Sequence, residues 1–116
     1  MTDSEIGDQL AGWGKVAVIG TTGRVSGRPA RAAVGYVAEP DGSLLVAAGD
    51  PEADWARNLE ADPRCTVRIG DQSWACAAEL LDGPARSAAI VELIVRYGTP
   101  AERLGNGPAF RLRRLG

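Results

Sequence analysis

The chain has no histidine. That removes the commonest general base at neutral pH and the commonest zinc ligand, so a Ser–His hydrolase and a zinc enzyme are both disfavoured from the outset. Cysteine is scarce too: Cys65 and Cys76 alone are too few for a metal cage, and no metal is expected. Aromatic residues make up 5% of the chain, a poor supply of stacking platforms for nucleic acid. No apolar run approaches the roughly 20 residues needed to span a bilayer. No charged-then-apolar leader opens the sequence, and the protein is read as cytoplasmic. Lysine occurs once, at Lys15, beside twelve arginines. Compositional bias of a GC-rich genome accounts for that more simply than selection for a guanidinium fork at every position.

What is present bounds the rest. With 116 residues and 45% hydrophobic content, the chain suits one domain, 1–116, with a single core. The net charge of −2 argues against a wholly basic, nucleic-acid-binding surface. Arg24, Arg28 and Arg31 nevertheless concentrate positive charge in one short stretch.

Hydrophobic periodicity predicts a helix over 3–11 and strands over Val16–Thr21, Arg31–Ala38 and Ser43–Ala48. The turn Glu39-Pro40-Asp41-Gly42 makes 31–48 a hairpin. Asp50-Pro51 signals the start of a second helix and Asp62-Pro63 its end. Arg64–Ile69 alternates, with Cys65, Val67 and Ile69 inward and Thr66 and Arg68 outward. After a turn at Gly70-Asp71, Ser73–Leu81 follows as a strand with Trp74, Cys76, Ala78 and Leu80 on one face. Cys65 faces Cys76 if that turn has two residues and lies diagonal to it if it has four. Two reduced core thiols are the simpler reading in a cytoplasmic protein. A helix over 85–97 presents Ile90, Leu93, Ile94 and Tyr97 as a stripe, stopped by Gly98 and Pro100. Ala109–Leu115 is the last strand, Phe110 and Leu112 inward. Antiparallel hairpins with interposed helices exclude a doubly wound parallel sheet. Six short strands suit a mainly β (α+β) architecture, a small closed or split antiparallel barrel with flanking helices.

The segment Gly20–Arg31 joins two of these strands and is rich in Gly, hydroxyls and Arg. Backbone N–H groups, hydroxyls and guanidinium forks in one loop suit a phosphate-bearing ligand. The alternative is that the arginines solvate a hairpin loop or pair with acids elsewhere in the fold.

Thr-Thr-Gly-Arg-x-Ser-Gly-x-x-x-Arg at 21–31, the Ala-Ala-Gly strand end at 47–49 and Trp-x-x-Asn-Leu-x-x-Asp-Pro at 55–63 together resemble the deazaflavin-dependent nitroreductase and quinone reductase family. The resemblance covers about residues 15–80 well and the remainder loosely. It implies a split β-barrel binding the deazaflavin F420, or FMN as in related split barrels. It further implies that Arg24, Ser26 and Arg28, with backbone N–H groups around Val25, hold the cofactor phosphate and that Arg31 adds to that anion site. Ala48 and Gly49 would lie beside the ring, and Trp55 and Asn58 would brace that wall. The competing reading of Trp55 is core packing, and of Asn58 a hydrogen bond to a neighbouring strand. The family usually has Lys where this chain has Val25. After Gly49, where the family tends to carry Gly and basic residues, Asp50, Glu52 and Asp54 are acidic.

The implied activity is hydride transfer from reduced F420 to a quinone, nitroaromatic or activated alkene. An FMN-binding reductase, favoured by Val25 and the acidic helix start, and a non-catalytic flavin- or deazaflavin-binding protein are the alternatives. No catalytic residue is assigned: Tyr36 and Tyr97 are the only phenols, and nothing in the sequence puts either near a substrate. The expected partner is a small-molecule substrate, with a homodimer in keeping with so short a chain.

Overall fold

The computed structural model describes residues 16–97 and 107–115. The helix expected over 3–11 and the stop at Gly98 and Pro100 lie outside the described residues. In chain order the elements are β1 (Ala17–Thr22), β2 (Pro29–Val34), β3 (Val37–Ala38), β4 (Leu44–Ala47), α1 (Asp54–Ala61), β5 (Arg64–Ile69), β6 (Gln72–Leu81), α2 (Gly83–Tyr97) and β7 (Ala109–Arg114). All strand pairs are antiparallel, in the order β2-β1-β5-β6-β7-β4-β3. β2 and β3 end that order yet are separated in the chain only by Gly35 and Tyr36. Three residue steps reach about 10 Å. The sheet therefore curls until its two edges almost meet, which is a split barrel, with seven described strands rather than six.

The extra strand comes from a break in the segment read as Arg31–Ala38. The Tyr97 hydroxyl accepts a hydrogen bond from the Tyr36 N–H at 2.9 Å and donates one to the Tyr36 carbonyl at 3.1 Å, so the end of α2 takes groups that would otherwise join a ladder. β2 consequently pairs with β1, and only Val37 and Ala38 pair with β4. The expected 31–48 hairpin is thus reduced to its last residues, although the turn at 39–42 forms as predicted, the Gly42 N–H donating to the Glu39 carbonyl.

A second correction concerns Asp50-Pro51. The Ala53 N–H donates to the Asp50 carbonyl, and Asp50 Oδ1 accepts from the Glu52 N–H. Asp at the first and Pro at the second position of a β-turn use the same chemistry as a helix start. α1 itself begins at Asp54, with no side-chain cap on Ala53.

Strand alternation divides the apolar residues between two cores. Ala17, Ile19, Leu44, Val46, Cys65, Val67, Cys76, Phe110 and Leu112 face the barrel interior, where Ala56 and Leu59 of α1 meet them. Leu45, Ala47, Leu81 and Ala109 face the other side, covered by Ala89, Ile90 and Leu93 of α2. β4 is buried on both faces for this reason. Leu80, expected inward, is 55% exposed: the interior cluster ends at Ala78, and Leu81 instead joins the second core.

Cys65 and Cys76 are directly opposed, both buried and both free. The turn between their strands has two residues, with Gly70 at φ 62°. Burial first, then the neighbouring Cys76, pushes the Cys65 thiol up to about 12. Burial also raises Cys76. Both remain protonated, unreactive thiols at neutral pH.

Candidate cofactor-binding site

Much of the Gly20–Arg31 segment is strand: Gly20–Thr22 belongs to β1 and Pro29–Arg31 to β2, leaving Gly23–Arg28 as the loop. The loop closes on itself. Gly23 N–H donates to the Arg28 carbonyl at 2.8 Å, Gly27 N–H to the Gly23 carbonyl at 2.8 Å, and Arg28 N–H to Ser26 Oγ at 3.1 Å. Gly27 has φ 72°, a left-handed conformation that a side chain would strain. Val25 stands at the tip, 93% exposed.

One end of the loop is pinned to α1 by Asn58. This residue is 3% exposed, and its Oδ1 accepts from the Arg24 backbone N–H at 3.1 Å and from Arg24 Nη1 at 2.8 Å. Its Nδ2 donates to Thr21 Oγ1, also buried, at 3.1 Å. Arg24 Nη2 meets Asp54 Oδ1 at 3.2 Å. Two buried polar side chains, Asn58 and Thr21, are thus matched to each other and to Arg24 at the surface, which fixes the loop on the helix. The acids after Gly49 are engaged in similar ways: Glu52 pairs with Arg57 at 2.6 Å, and Asp50 caps its turn. The acidic run therefore faces local cations and N–H groups.

The remaining expected site residues fall into two places. Trp55 packs against Phe110 with ring centroids 5.9 Å apart, at the edge of the interior core, and Ala48 lies in the same cluster. The Ala48 N–H donates to the Pro108 carbonyl, while Gly49 is exposed. Arg31 lies on the opposite side of the sheet, in a groove of about 770 Å³ that also reaches Gly27 at the base of the loop. The structure thus joins Arg24 to Asn58 directly and sets Arg31 apart from both.

Sequence reading missed the rest of that groove. Its lining includes Gly20, Thr22, Arg64, Thr66, Arg68 and Ser73, together with Asp62. The Arg64 N–H and its side chain hold the Asp62 carboxyl below its ordinary value. The signal was present: a glycine inside an otherwise continuous strand, and an alternating Arg-x-Thr-x-Arg on β5. Outward arginines on a strand are otherwise the ordinary mark of a solvated face.

Fold and loop together define a split-barrel protein with a basic phosphate-type loop. The family model for F420H(2)-dependent quinone reductases matches residues 1–101, and the chain belongs to that family. Its cofactor is accordingly F420, and its reaction class is reduction. Among solved structures, an F420-H2 dependent reductase, FDR-A, matches at 26% identity and TM-score 0.73, over 85% of this chain and 94% of that one. HutZ, the heme storage protein of Vibrio cholerae, matches at 20% identity and TM-score 0.74, over 98% and 90%. A heme binding protein of Mycobacterium smegmatis matches at 19% identity and TM-score 0.70, over 98% and 52%. The last two are likenesses of fold. No curated protein matches.

Proposed function

We propose that this chain acts as a one-domain cytoplasmic reductase, passing a hydride from F420H2 to a quinone, with nitroaromatics and activated alkenes as further acceptors. The observation that carries this reading is the self-closed loop Gly23–Arg28, held on α1 by Asn58, within a chain of this family. The donor set fits an anionic cofactor. Guanidinium groups of Arg24 and Arg28 and the Ser26 hydroxyl belong to one loop, Arg31 lies beyond it on β2, and the acids closest in sequence already have partners.

When bound, reduced F420 supplies the hydride. The protein supplies the binding and orientation. Arg28 and Ser26 with the N–H groups around Val25 hold the phosphate, and Arg24 divides its five N–H donors between that anion and Asn58–Asp54. Arg31 adds charge from β2. Ala48 and Gly49 line the ring, where a small residue lets a flat group approach the backbone. Trp55 and Asn58 brace this wall from α1 and exclude water. Among the described residues no helix is long and apolar enough to cross a membrane. A two-fold dimer would bury further surface of so small a chain.

The test is retention. Purified protein mixed with F420 or with FMN is followed by fluorescence and ultrafiltration, then by menadione reduction with F420H2. Micromolar retention of F420 and turnover are expected. Retention of F420 without turnover would leave a binding protein, and retention of neither cofactor would remove the enzyme reading.

A further inference from the structure

The end of β4 is held by the residues that lead into β7, and the basic loop does not account for how. Register pairs Ala47 with Ala109 as the last rung between the two strands. One residue further, the Ala48 N–H donates to the Pro108 carbonyl at 2.9 Å. Proline has no N–H to give in return, so the ladder cannot close a second bond at Ala48. A strand end secured by a single ladder bond is prone to fraying. Ala48 is nevertheless 2% exposed, and it carries the corner that turns into Gly49.

Gly107 supplies the missing constraint. It is buried, and a Cβ on it would collide with the carbonyl group of Ala48. Its backbone is not left-handed, so what the position demands is space rather than conformational freedom. The Gly107 carbonyl in turn accepts from Arg86 Nη2 at 2.6 Å, across 21 residues of chain. A guanidinium donor makes this bond short and strong. Arg86 comes from the first half of α2, the helix that covers the far face of the sheet through Ala89, Ile90 and Leu93. Arg86, Gly107 and Ala48 thus form a stack that runs from the covering helix, through the entry to β7, to the interior core.

We propose that Arg86 is a positioning residue for the Ala48–Gly49 wall: through Gly107 it fixes the backbone against which the flat ring of the cofactor packs. The ring rests on the reading of Ala48 and Gly49 given above; the clamp itself rests on two hydrogen bonds and on the lack of room at Gly107. Arg86 touches neither cofactor nor acceptor. Its effect is confined to the ring, because the loop Gly23–Arg28 is held separately by Asn58. The two ends of the ligand are then positioned by two helices, the anion by α1 and the ring by α2.

The experiment is a fluorescence titration of wild type, Arg86→Gln, Arg86→Lys and Gly107→Ala with F420 and with the neutral deazaflavin riboside, which keeps the ring and lacks phosphate and carboxylates. Tripolyphosphate titrated by NMR reads the loop alone, amide exchange at Ala48 reads the clamp, and thermal melts check folding. Arg86→Gln is expected to bind both ring ligands about fivefold more weakly, to hold tripolyphosphate as wild type does and to exchange the Ala48 amide faster. Arg86→Lys, which returns a charged donor, recovers most of that loss. Gly107→Ala, where it folds, loses at least as much as Arg86→Gln. Saturated with F420H2, Arg86→Gln reduces menadione with a lower kcat and an unchanged KM. Wild-type affinity for both ring ligands in a folded Arg86→Gln would overturn the proposal while leaving the F420 reading intact. An equal loss for tripolyphosphate would overturn it too, since that marks a general loosening. If wild type binds no F420, the cofactor reading fails and the riboside decides: weaker riboside binding together with faster Ala48 exchange in Arg86→Gln supports the clamped wall, and unchanged values overturn it.

Discussion

β5 and β7 both send arginines outward in alternation, Arg64 and Arg68 on one, Arg111 and Arg113 on the other, and the two faces behave in opposite ways. On β7 each guanidinium meets a carboxylate. Arg111 Nε is 2.7 Å from Glu39 Oε1, with a second contact to the same carboxylate at 3.3 Å, and the pairing raises the arginine's affinity for its proton. Arg113 Nε is 2.9 Å from Glu79 Oε2. α2 packs beside them, so this face is structural. On β5 the cross-strand neighbours of Arg64 and Arg68 are Ala77, Ser73 and Val18, and among the described residues Arg64 pairs with Asp62, two residues before it. Outward arginines thus meet cross-strand carboxylates on β7 and small neutral cross-strand residues on β6 opposite β5. What differs is the neighbouring strand, which a sequence does not display beside its partner.

The largest expected effect is at the pin that holds the loop on α1. Asn58→Ala removes the acceptor of Arg24 and the donor to Thr21, leaving the buried Thr21 hydroxyl unmatched and the loop unpinned. Urea unfolding should show a loss of roughly 2–3 kcal/mol, with F420 affinity falling as well. Next comes Ala75→Glu, which sets a carboxylate in the row of Arg31, a proposed contact of the cofactor. F420 should bind about tenfold more weakly, ~1.4 kcal/mol by titration, with unchanged stability. The mirror experiment is Glu39→Gln, which frees Arg111 in its half-buried site. Here stability should fall by roughly 1–2 kcal/mol while cofactor affinity holds. A loss of affinity in Glu39→Gln equal to that in Ala75→Glu would erase the distinction between the faces.

The smallest effect belongs to the thiols. Since burial raises the folded-state value of Cys65 to about 12 from a usual 9.0, the neutral thiol is favoured in the folded protein. The associated stability is complete below pH ~9 and is lost as pH rises toward ~12. Denaturation followed from pH 8 to 11 should show a decline that Cys65→Val flattens, and native thiols should resist alkylation until the chain unfolds.

Legibility followed the range of the interaction. The β5–β6 hairpin and its Cys65–Cys76 register rest on one two-residue turn, and the strand β5 was read to the residue. The stripe on α2 likewise follows from its own periodicity. The break at Gly35-Tyr36 depends on Tyr97, sixty-one residues away, and no local pattern announces it. Asp50-Pro51 failed for another reason: a β-turn and a helix start ask for the same two residues. At the site, the loop and its Asn58 were visible as a motif. The groove was not, because Gly20, Arg31 and Thr66 come from three strands that only pairing brings into one row.

By itself the sequence determined the antiparallel, mainly β architecture, the basic loop and the kinship with deazaflavin reductases. These rest on periodicity, turn chemistry and contiguous spacing. Only the tertiary structure decided which acids meet Arg111 and Arg113 and brought Arg31, Gly20 and Thr66 into one row. Electrostatic pairing depends on distance through space, and curling the sheet until β2 and β3 almost meet is what sets those distances.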